Sequence, residues 1–340
     1  MGRRISQVNS TVAAAQPSPD PQGVGATDVF RAIEEAVSSV VLAEPLTLRL
    51  AVGCLAAGGH LLVEDHPGLG KTTLAKSLAA AVGLGFRRLQ CTADLLPADV
   101  TGATVLGRDG TEPTFRPGPV FTNLLMADEL NRASPRAQSA LLEAMEERQV
   151  TVDGTTYPLP RPFFVLATQN PYDAAGTSPL PHGQRDRFLV RVSLGYPPRR
   201  RMDELLAGSD PAERARHLPA AVSPESLEVL MAAVAAVHVS ATVRGYVLDL
   251  LEAVTDHPGV AVGPSPRAAR SLVQAASALA VGAGRPYLSP ADVQDAAGPV
   301  LAHRLSLHPA ADIVEEGAET LVAIVTESVP VPLGGDPEGR

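Results

Sequence analysis

Short apolar runs alternate with segments of helical periodicity over residues 27–197 of the 340-residue chain. The runs are His60–Glu64, Phe86–Gln90, Asn123–Ala127, Phe163–Ala167 and Phe188–Val192. Runs of this length, rich in Leu, Val and Phe, are typical of strands, and an alternation of strand and helix indicates a parallel sheet. We therefore predict an α/β domain over 27–197, with helices on both faces of the sheet.

A different pattern extends from residue 198 to about residue 325, where the strand-like runs disappear. Helix starts are marked by serine–proline pairs, because a serine hydroxyl caps the first turn and proline is tolerated at the first helical position. The pairs are Ser223-Pro224, Ser265-Pro266 and Ser289-Pro290, with a fourth, Ser134-Pro135, in the first region. We predict a small all-helical domain over 198–325. A disordered, proline-rich tail (1–26) would precede the two domains, and a flexible tail (326–340) would follow them.

Two Asp-Gly pairs, Asp109-Gly110 and Asp153-Gly154, predict tight turns between antiparallel strands. The second pair lies between Gln149–Val152 and Thr155–Tyr157, two short runs with the alternation of a β-ribbon. Ordinary surface hairpins and functional insertions are both compatible with this pattern.

Composition and charge narrow the class of protein. The formal net charge of −9 argues against general electrostatic binding of nucleic acid, because such binding depends on a basic surface. Cys54 and Cys91 form neither a disulfide framework nor a zinc pattern, which favours a reduced, cytoplasmic compartment. No apolar run approaches the ~18 residues that a membrane span needs.

The strongest chemical signal is a glycine-bearing loop between a hydrophobic strand and the start of a helix. Its residues are Asp65, His66, Pro67, Gly68, Leu69, Gly70, Lys71, Thr72 and Thr73. Backbone N–H groups in such a loop, together with the helix N-terminus, bind the phosphates of a nucleotide. Lys71 is predicted to reach the β- and γ-phosphates, and Thr72 to bind Mg²⁺. Asp65 stands where the general pattern has its first glycine, and we expect the turn to survive because Asp tolerates a left-handed backbone.

An apolar run ends in two carboxylates, Asp128 and Glu129, 57 residues after Lys71 (128 − 71). Ligands bind at this carboxyl edge of open α/β sheets, so Asp128 is predicted to hold Mg²⁺ and Glu129 to activate the attacking water. An isolated acidic strand end would more simply cap the next helix, but the phosphate loop favours the catalytic interpretation. Asn170 ends the following run, where it would either orient that water or form a turn with Pro171.

Six segments carry a longer pattern: Leu95–Gly102, Phe115–Val120, Ala127–Gly154, Ala167–Pro171, Leu180–Phe188 and Ser265–Ala268. Together they resemble the MoxR family of AAA+ ATPases. The longest is similar to the family signature over its whole length, and the resemblance as a whole covers about residues 28–305. It implies a P-loop NTPase fold, in which a parallel-sheet αβα core is followed by a small all-α lid domain.

The resemblance also implies roles for particular residues. Asn170 matches the sensor 1 position, and Arg187 matches the arginine finger, which acts on ATP bound to the neighbouring subunit. Arg267 matches the sensor 2 arginine of the lid and would contact the nucleotide; an arginine in a helix's first turn is unfavourable without a nearby anion, which independently supports that assignment. The Asp-Gly hairpins correspond to insertions that mark this clade. Val40–Glu44 departs from the family, because it lacks the glycine and glutamine of the box near the adenine.

By resemblance, the chain would assemble into a homo-oligomeric ring of six subunits that hydrolyses ATP with Mg²⁺ as cofactor. Glu129, Asn170 and Arg187 would be catalytic, and Thr72 and Asp128 would hold the metal. The ring would remodel or mature a protein partner, which in this family usually carries a von Willebrand factor A domain. Two alternatives remain: a DNA-directed AAA+ motor, which the acidic charge disfavours, and a nucleotide-gated switch with little turnover, which the altered adenine box keeps open.

Overall fold

The computed structural model describes residues 25–105, 113–170, 178, 180–208, 210–309 and 317–332. Its strands are β1 (Leu61–Glu64), β2 (Phe86–Gln90), β3 (Gly102–Val105), β4 (Thr114–Pro117), β5 (Leu124–Asp128), β6 (Gln149–Val152), β7 (Thr155–Pro158), β8 (Phe164–Gln169), β9 (Val190–Val192), β10 (Val260–Val262) and β11 (Ser306–Leu307). Five of them form one parallel sheet in the order β2-β5-β8-β1-β9. The predicted parallel sheet is therefore confirmed, and each strand begins and ends within two residues of its apolar run.

Helices cover both faces of this sheet. The described helices are α1 (Ala26–Ser38), α2 (Pro45–Ala56), α3 (Lys71–Val82), α4 (Pro97–Thr101), α5 (Pro135–Glu147), α6 (His182–Arg185), α7 (Arg199–Leu206), α8 (Pro211–Arg216), α9 (Pro224–Ala235), α10 (Ala241–Thr255), α11 (Pro266–Gly282), α12 (Pro290–Leu301) and α13 (Gly317–Ser328). Successive strand residues point to opposite faces. Leu61 and Val63 accordingly pack in one buried cluster with α1, α2 and α3, whereas Leu62 packs in a second cluster with α5. The αβα layering follows from this alternation.

Beyond residue 198 the chain is mainly helical, and the serine caps are confirmed. Ser223, Ser265 and Ser289 each accept a hydrogen bond from the backbone N–H three residues ahead. The region is not wholly helical, since β10 and β11 pair antiparallel. Strands of three and two residues are too short for an alternation of apolar positions to reveal them, which explains why the sequence pattern missed this small sheet.

The ends of the folded chain differ slightly from the predicted boundaries. Helix α1 begins at Ala26, one residue inside the predicted N-terminal tail, and α13 continues to Ser328, past the predicted boundary at 325. Val325 and Val329, four residues apart, are both buried in the cluster that contains Leu61 and Val63. The packed part of the chain therefore continues past residue 325. The remainder of both predicted tails, 1–24 and 333–340, lies outside the described residues.

Two antiparallel hairpins project from the α/β domain. Strands β6 and β7 join at Asp153-Gly154, whose φ angles of 48° and 78° fit the tight turn that this dipeptide favours. Strands β3 and β4 also pair antiparallel, although the Asp109-Gly110 turn predicted between them lies outside the described residues. Phe115 of β4 stacks on Tyr157 of β7 with ring centroids 4.1 Å apart and an interplanar angle of 14°. The two hairpins therefore contact each other directly.

Candidate active site

The predicted phosphate loop connects β1 to α3. Strand β1 ends at Glu64 and α3 begins at Lys71, as the sequence pattern predicts. Gly68 and Gly70 have φ angles of 85° and 90°, a backbone region that favours glycine. A Cβ added to either residue would meet no atom within 4 Å, so the loop borders open space that a ligand can fill.

Asp65 holds this loop through its carboxylate, and it does so without a left-handed backbone. The carboxylate accepts a hydrogen bond from Ser193 Oγ at 2.9 Å and another from the backbone N–H of Leu194. The expectation of a left-handed Asp65 is wrong, since the described non-glycine residues with positive φ do not include it. A buried carboxylate at this position instead ties the start of the loop to the segment that follows β9.

The side chain of Lys71 reaches back to the start of the phosphate loop. Its Nζ donates to the carbonyl oxygen of Asp65 at 2.5 Å and lies 3.4 Å from that of Gln169. Partial burial lowers the pKa of Lys71, while the nearby carboxylates of Asp65, Asp128 and Glu129 act in the opposite direction. Carbonyl oxygens are weaker partners for an ammonium group than phosphate oxygens are, so Lys71 is free to exchange them for an anion.

The loop, the acidic pair and the end of β8 enclose a cavity of about 360 Å³. It is lined by Pro67, Gly68, Gly70, Lys71, Thr72, Thr73, Arg88, Asp128, Glu129 and Asn170. Three residues of the predicted loop do not line it. Asp65 and His66 border a neighbouring cavity of about 520 Å³ instead, and Leu69 is partly buried outside both cavities. The structure thus brings together the lysine, the hydroxyl, both carboxylates and the strand-end amide that the sequence singled out.

Asp128 is held on both of its carboxylate oxygens. Thr168 Oγ1 donates to Oδ1 at 2.7 Å, and Arg88 donates to Oδ2 from Nε at 3.1 Å and from Nη2 at 2.5 Å. The side chain is largely buried, with 12% of its surface exposed. Its orientation towards the cavity is therefore fixed before any ligand enters.

Glu129 adopts a left-handed backbone conformation, with φ 57° and ψ 50°. This conformation is uncommon for a side chain of this size, and such strain concentrates at functional sites. Thr168 Oγ1 accepts a hydrogen bond from its backbone N–H at 2.9 Å, while its carboxylate binds Arg132 at 3.0 Å and lies 3.4 Å from Gln90 Nε2. Thr168 therefore positions both members of the acidic pair.

Asn170 follows β8 and lines the cavity beside Glu129. Its backbone carbonyl oxygen lies 3.4 Å from Asn131 Nδ2. The location at the strand tip agrees with the predicted placement of an amide beside the acidic pair.

Arg187 and Arg267 lie outside the cavity that contains Lys71 and Asp128. Both bind the carboxylate of Glu146: Arg187 Nε lies 3.0 Å from Oε2, and Arg267 Nη2 lies 2.6 Å from Oε1. They line a separate cavity of about 270 Å³ that contains neither Lys71 nor Asp128. Arg267 therefore does not line the cavity of Lys71 and Asp128, and its contact with a nucleotide stays a prediction. The lid helix α11 carries it to the same side of the molecule as Arg187.

Four residues that hold the acidic pair were not identified from the sequence. Arg88 and Gln90 share one face of β2, in register with β5, and Thr168 is a buried hydroxyl within the apolar run of β8. Arg132 lies one turn after Glu129. A polar residue inside an otherwise apolar strand is a usable signal, but the strand order that brings β2 beside β5 is needed to interpret it.

Comparison with known proteins agrees with this geometry. The family model described as "ATPase family associated with various cellular activities (AAA)" matches residues 60–190, and the AAA lid domain matches residues 252–325. Chaperone MoxR1 of Mycobacterium tuberculosis is 38% identical over 314 residues, covering 89% of this chain and 82% of the relative. YeaC of Bacillus subtilis is 42% identical over 284 residues, covering 84% and 89%. A crystal structure of a candidate ATPase from Cytophaga hutchinsonii superposes with a TM-score of 0.81 at 31% identity, covering 91% and 96%.

Among the described helices, none is both long and apolar enough to cross a membrane. The parallel sheet, the phosphate loop with its acidic pair, the lid and the extent of the similarity all lead to one assignment. The chain belongs to the MoxR family of AAA+ ATPases and is an ATP hydrolase with the P-loop α/β fold.

Proposed function

We propose that the chain hydrolyses ATP at a composite site between adjacent subunits of a homo-oligomeric ring, hexameric in its full form, in the cytoplasm. The observation that carries this proposal is the placement of Arg187 and Arg267. Both project into a cavity that the phosphate loop does not share, so neither serves the nucleotide held by its own Lys71. A head-to-tail contact between copies would bring this arginine face to the neighbour's phosphate loop, and repetition of that contact closes a ring.

Within one subunit, the cavity around Lys71 supplies the groups that phosphoryl transfer to water requires. Lys71 and the loop N–H groups bind the phosphates, and Glu129 accepts a proton from the attacking water. Asn170 orients that water from the tip of β8. The arginines of the next subunit stabilise the charge that develops on the γ-phosphate, a contribution of roughly 10³–10⁵ in rate for an arginine finger.

The residues present also fit a magnesium ion. Mg²⁺ is usually held by one or two protein oxygens together with substrate phosphates, and not by a dedicated cage of protein ligands. Within the described ranges, no three His, Cys, Asp or Glu side chains converge to form such a cage. Thr72 Oγ1 and the fixed carboxylate of Asp128 border the cavity and would hold the ion against the phosphates. When bound, Mg²⁺ neutralises charge on the β- and γ-phosphate oxygens.

A subunit-mixing experiment tests the composite site. Lys71→Ala subunits lack the phosphate lysine but keep both arginines, whereas Arg187→Ala subunits keep the phosphate loop and lack the finger. Each variant alone should be inactive, yet a random equal mixture should recover about a quarter of the wild-type turnover, since one interface in four combines two intact halves. Mixtures that stay inactive, or a wild-type monomer that turns over ATP as fast as the assembled protein, would refute the shared site.

The work of the ring, as we propose it, is chaperone-like remodelling of a protein that carries a von Willebrand factor A domain. The support is the family membership together with the name of the chaperone relative. Glu129→Gln protein loaded with ATP should retain such a partner in affinity purification, and Lys71→Ala protein should release it. A salt-dependent shift of DNA, without any such partner, would favour the DNA-directed alternative. Binding of ATP without steady-state turnover would favour the nucleotide-gated switch.

A further inference from the structure

Asp186 connects the two segments that carry Arg187 and Arg267. It follows α6 and directly precedes Arg187, and its Oδ2 accepts a hydrogen bond from Ser265 Oγ at 3.2 Å. Ser265 is the N-cap of α11, two residues before Arg267. One carboxylate therefore joins the arginine-finger segment of the core to the first turn of the lid helix.

The second oxygen of Asp186 is held by Arg304, the largest fully buried side chain among the described residues. Arg304 Nε donates to Oδ1 at 2.7 Å, and Nη2 donates to the backbone oxygen of Phe188 at 2.6 Å. Nη1 lies 3.2 Å from the carbonyl oxygen of Leu189, and Nη2 lies 3.2 Å from Ser271 Oγ of α11. The guanidinium thus binds three groups: the Asp186 carboxylate, the backbone carbonyls that follow Arg187, and Ser271 on the lid helix α11.

A buried ion pair of this kind is weak support for stability, because desolvation of both charges offsets their attraction. Apolar side chains could fill the same space. The pair instead fixes the positions of the groups around it, because the five N–H donors of a planar guanidinium have fixed directions. The segments so fixed are the two that present Arg187 and Arg267 to Glu146.

We propose that Asp186, oriented by Arg304, is a positioning residue that sets Arg187 and Arg267 together for the nucleotide of the neighbouring subunit. This inference rests on the proposed function, because it presumes that both arginines act on that nucleotide. Two arginines can bind one phosphoryl group only when their separation and direction are fixed, and a displacement of about 1 Å in such a site costs on the order of 100-fold in rate.

The test is Asp186→Asn, which keeps the shape of the side chain and removes its charge. ATP affinity should stay within about twofold of wild type, because the phosphate loop is untouched, while turnover should fall about 100-fold. Mixing distinguishes positioning from damage to the subunit's own fold. Asp186→Asn subunits mixed with Lys71→Ala subunits should recover turnover, whereas Asp186→Asn mixed with Arg187→Ala should not, since neither copy then supplies a working finger.

The outcomes separate this inference from the proposed function. If Arg187→Ala recovers with Lys71→Ala but Asp186→Asn does not, the composite site stands and the positioning role of Asp186 is overturned. If neither recovers, both proposals fail. Wild-type turnover by Asp186→Asn alone would also overturn the inference.

Ser265→Ala provides a second, milder variant, because it removes only the link from Asp186 to α11. Ser223→Ala is its matched control, since Ser223 caps α9 in the same serine–proline manner and bonds to Ser226 instead. We expect Ser265→Ala to lose about tenfold more turnover than Ser223→Ala, with the same recovery in mixtures, as a displaced arginine requires. Equal losses in the two variants would contradict the role of this link.

Discussion

Arg187 Nε lies 3.0 Å from Oε2 of Glu146, a residue at the C-terminal end of α5 in the same subunit. Helix α5, which follows the acidic pair in the chain, thus carries near its end the carboxylate that binds Arg187. An anion from a neighbouring copy would replace a carboxylate that is itself partly exposed to water. One carboxylate therefore holds Arg187 and Arg267 next to each other within the subunit.

Replacement of Lys71 should abolish tight nucleotide binding. Lys71→Ala removes the only lysine that lines the described cavity, and loss of a charge-assisted contact of this kind should weaken the binding of ATP by roughly 100-fold. Titration with a fluorescent ATP analogue measures this effect. Lys76→Ala is the control, because Lys76 lies on the same helix outside the cavity, and it should bind as wild type does. Tight binding by Lys71→Ala would rule out the assignment of this loop to phosphate.

Replacement of Glu129 should separate binding from hydrolysis. Glu129→Gln keeps the left-handed backbone position and removes the proposed general base, so turnover should fall about 10²–10⁴-fold while ATP remains bound. Steady-state phosphate release and equilibrium binding together check this. Glu143→Gln, an exposed position on α5, should leave both quantities unchanged. Unchanged turnover in Glu129→Gln would remove this residue as the water activator.

Arg88 would compete with the proposed Mg²⁺ ion for Asp128. Because Arg88 is half exposed, its pair with Asp128 is a modest interaction, and Arg88→Gln should lower the Mg²⁺ concentration needed for half-maximal ATP binding by about fivefold at most. Arg87→Gln is the matched control, since Arg87 bonds the carbonyl of Gly118 instead. A higher Mg²⁺ requirement in Arg88→Gln would show that Arg88 assists the metal or the phosphates.

The buried His60 should make stability depend on pH. Burial lowers the pKa of His60 to about 4, from an ordinary value of 6.5, so the folded state binds the proton less readily than the unfolded chain does. The free energy of unfolding should therefore fall as pH drops from 6.5 towards 4, with His60 contributing up to about 3 kcal/mol.

His60→Asn tests this contribution, because the amide does not titrate and its oxygen can replace Nδ1 as the acceptor for the Val165 backbone N–H. Urea unfolding at several pH values should show a shallower loss than in wild type. His308→Asn, an exposed position, should keep the wild-type slope. Equal slopes for wild type and His60→Asn would contradict the assignment.

The sequence predicted what depends on local pattern, and missed what depends on strand order and long-range packing. The strand that ends at Glu64, the loop with Gly68 and Gly70, and the helix that begins at Lys71 are encoded within a dozen consecutive residues. The position of Arg267 is not, because its first-turn location fixes the direction of the side chain on α11 but not the face of the core against which α11 packs. Asp65 shows the same limit, since its partner Ser193 is 128 residues away.

The stack of Phe115 on Tyr157 has a consequence for force transmission. Two hairpins that arise at different points of the chain share one aromatic contact, so a displacement of one would act on the other as well. One hairpin enters the fold beside α4, and the other leaves the end of α5 next to Glu146. A displacement of either hairpin would therefore act on α5, the helix whose Glu146 binds Arg187.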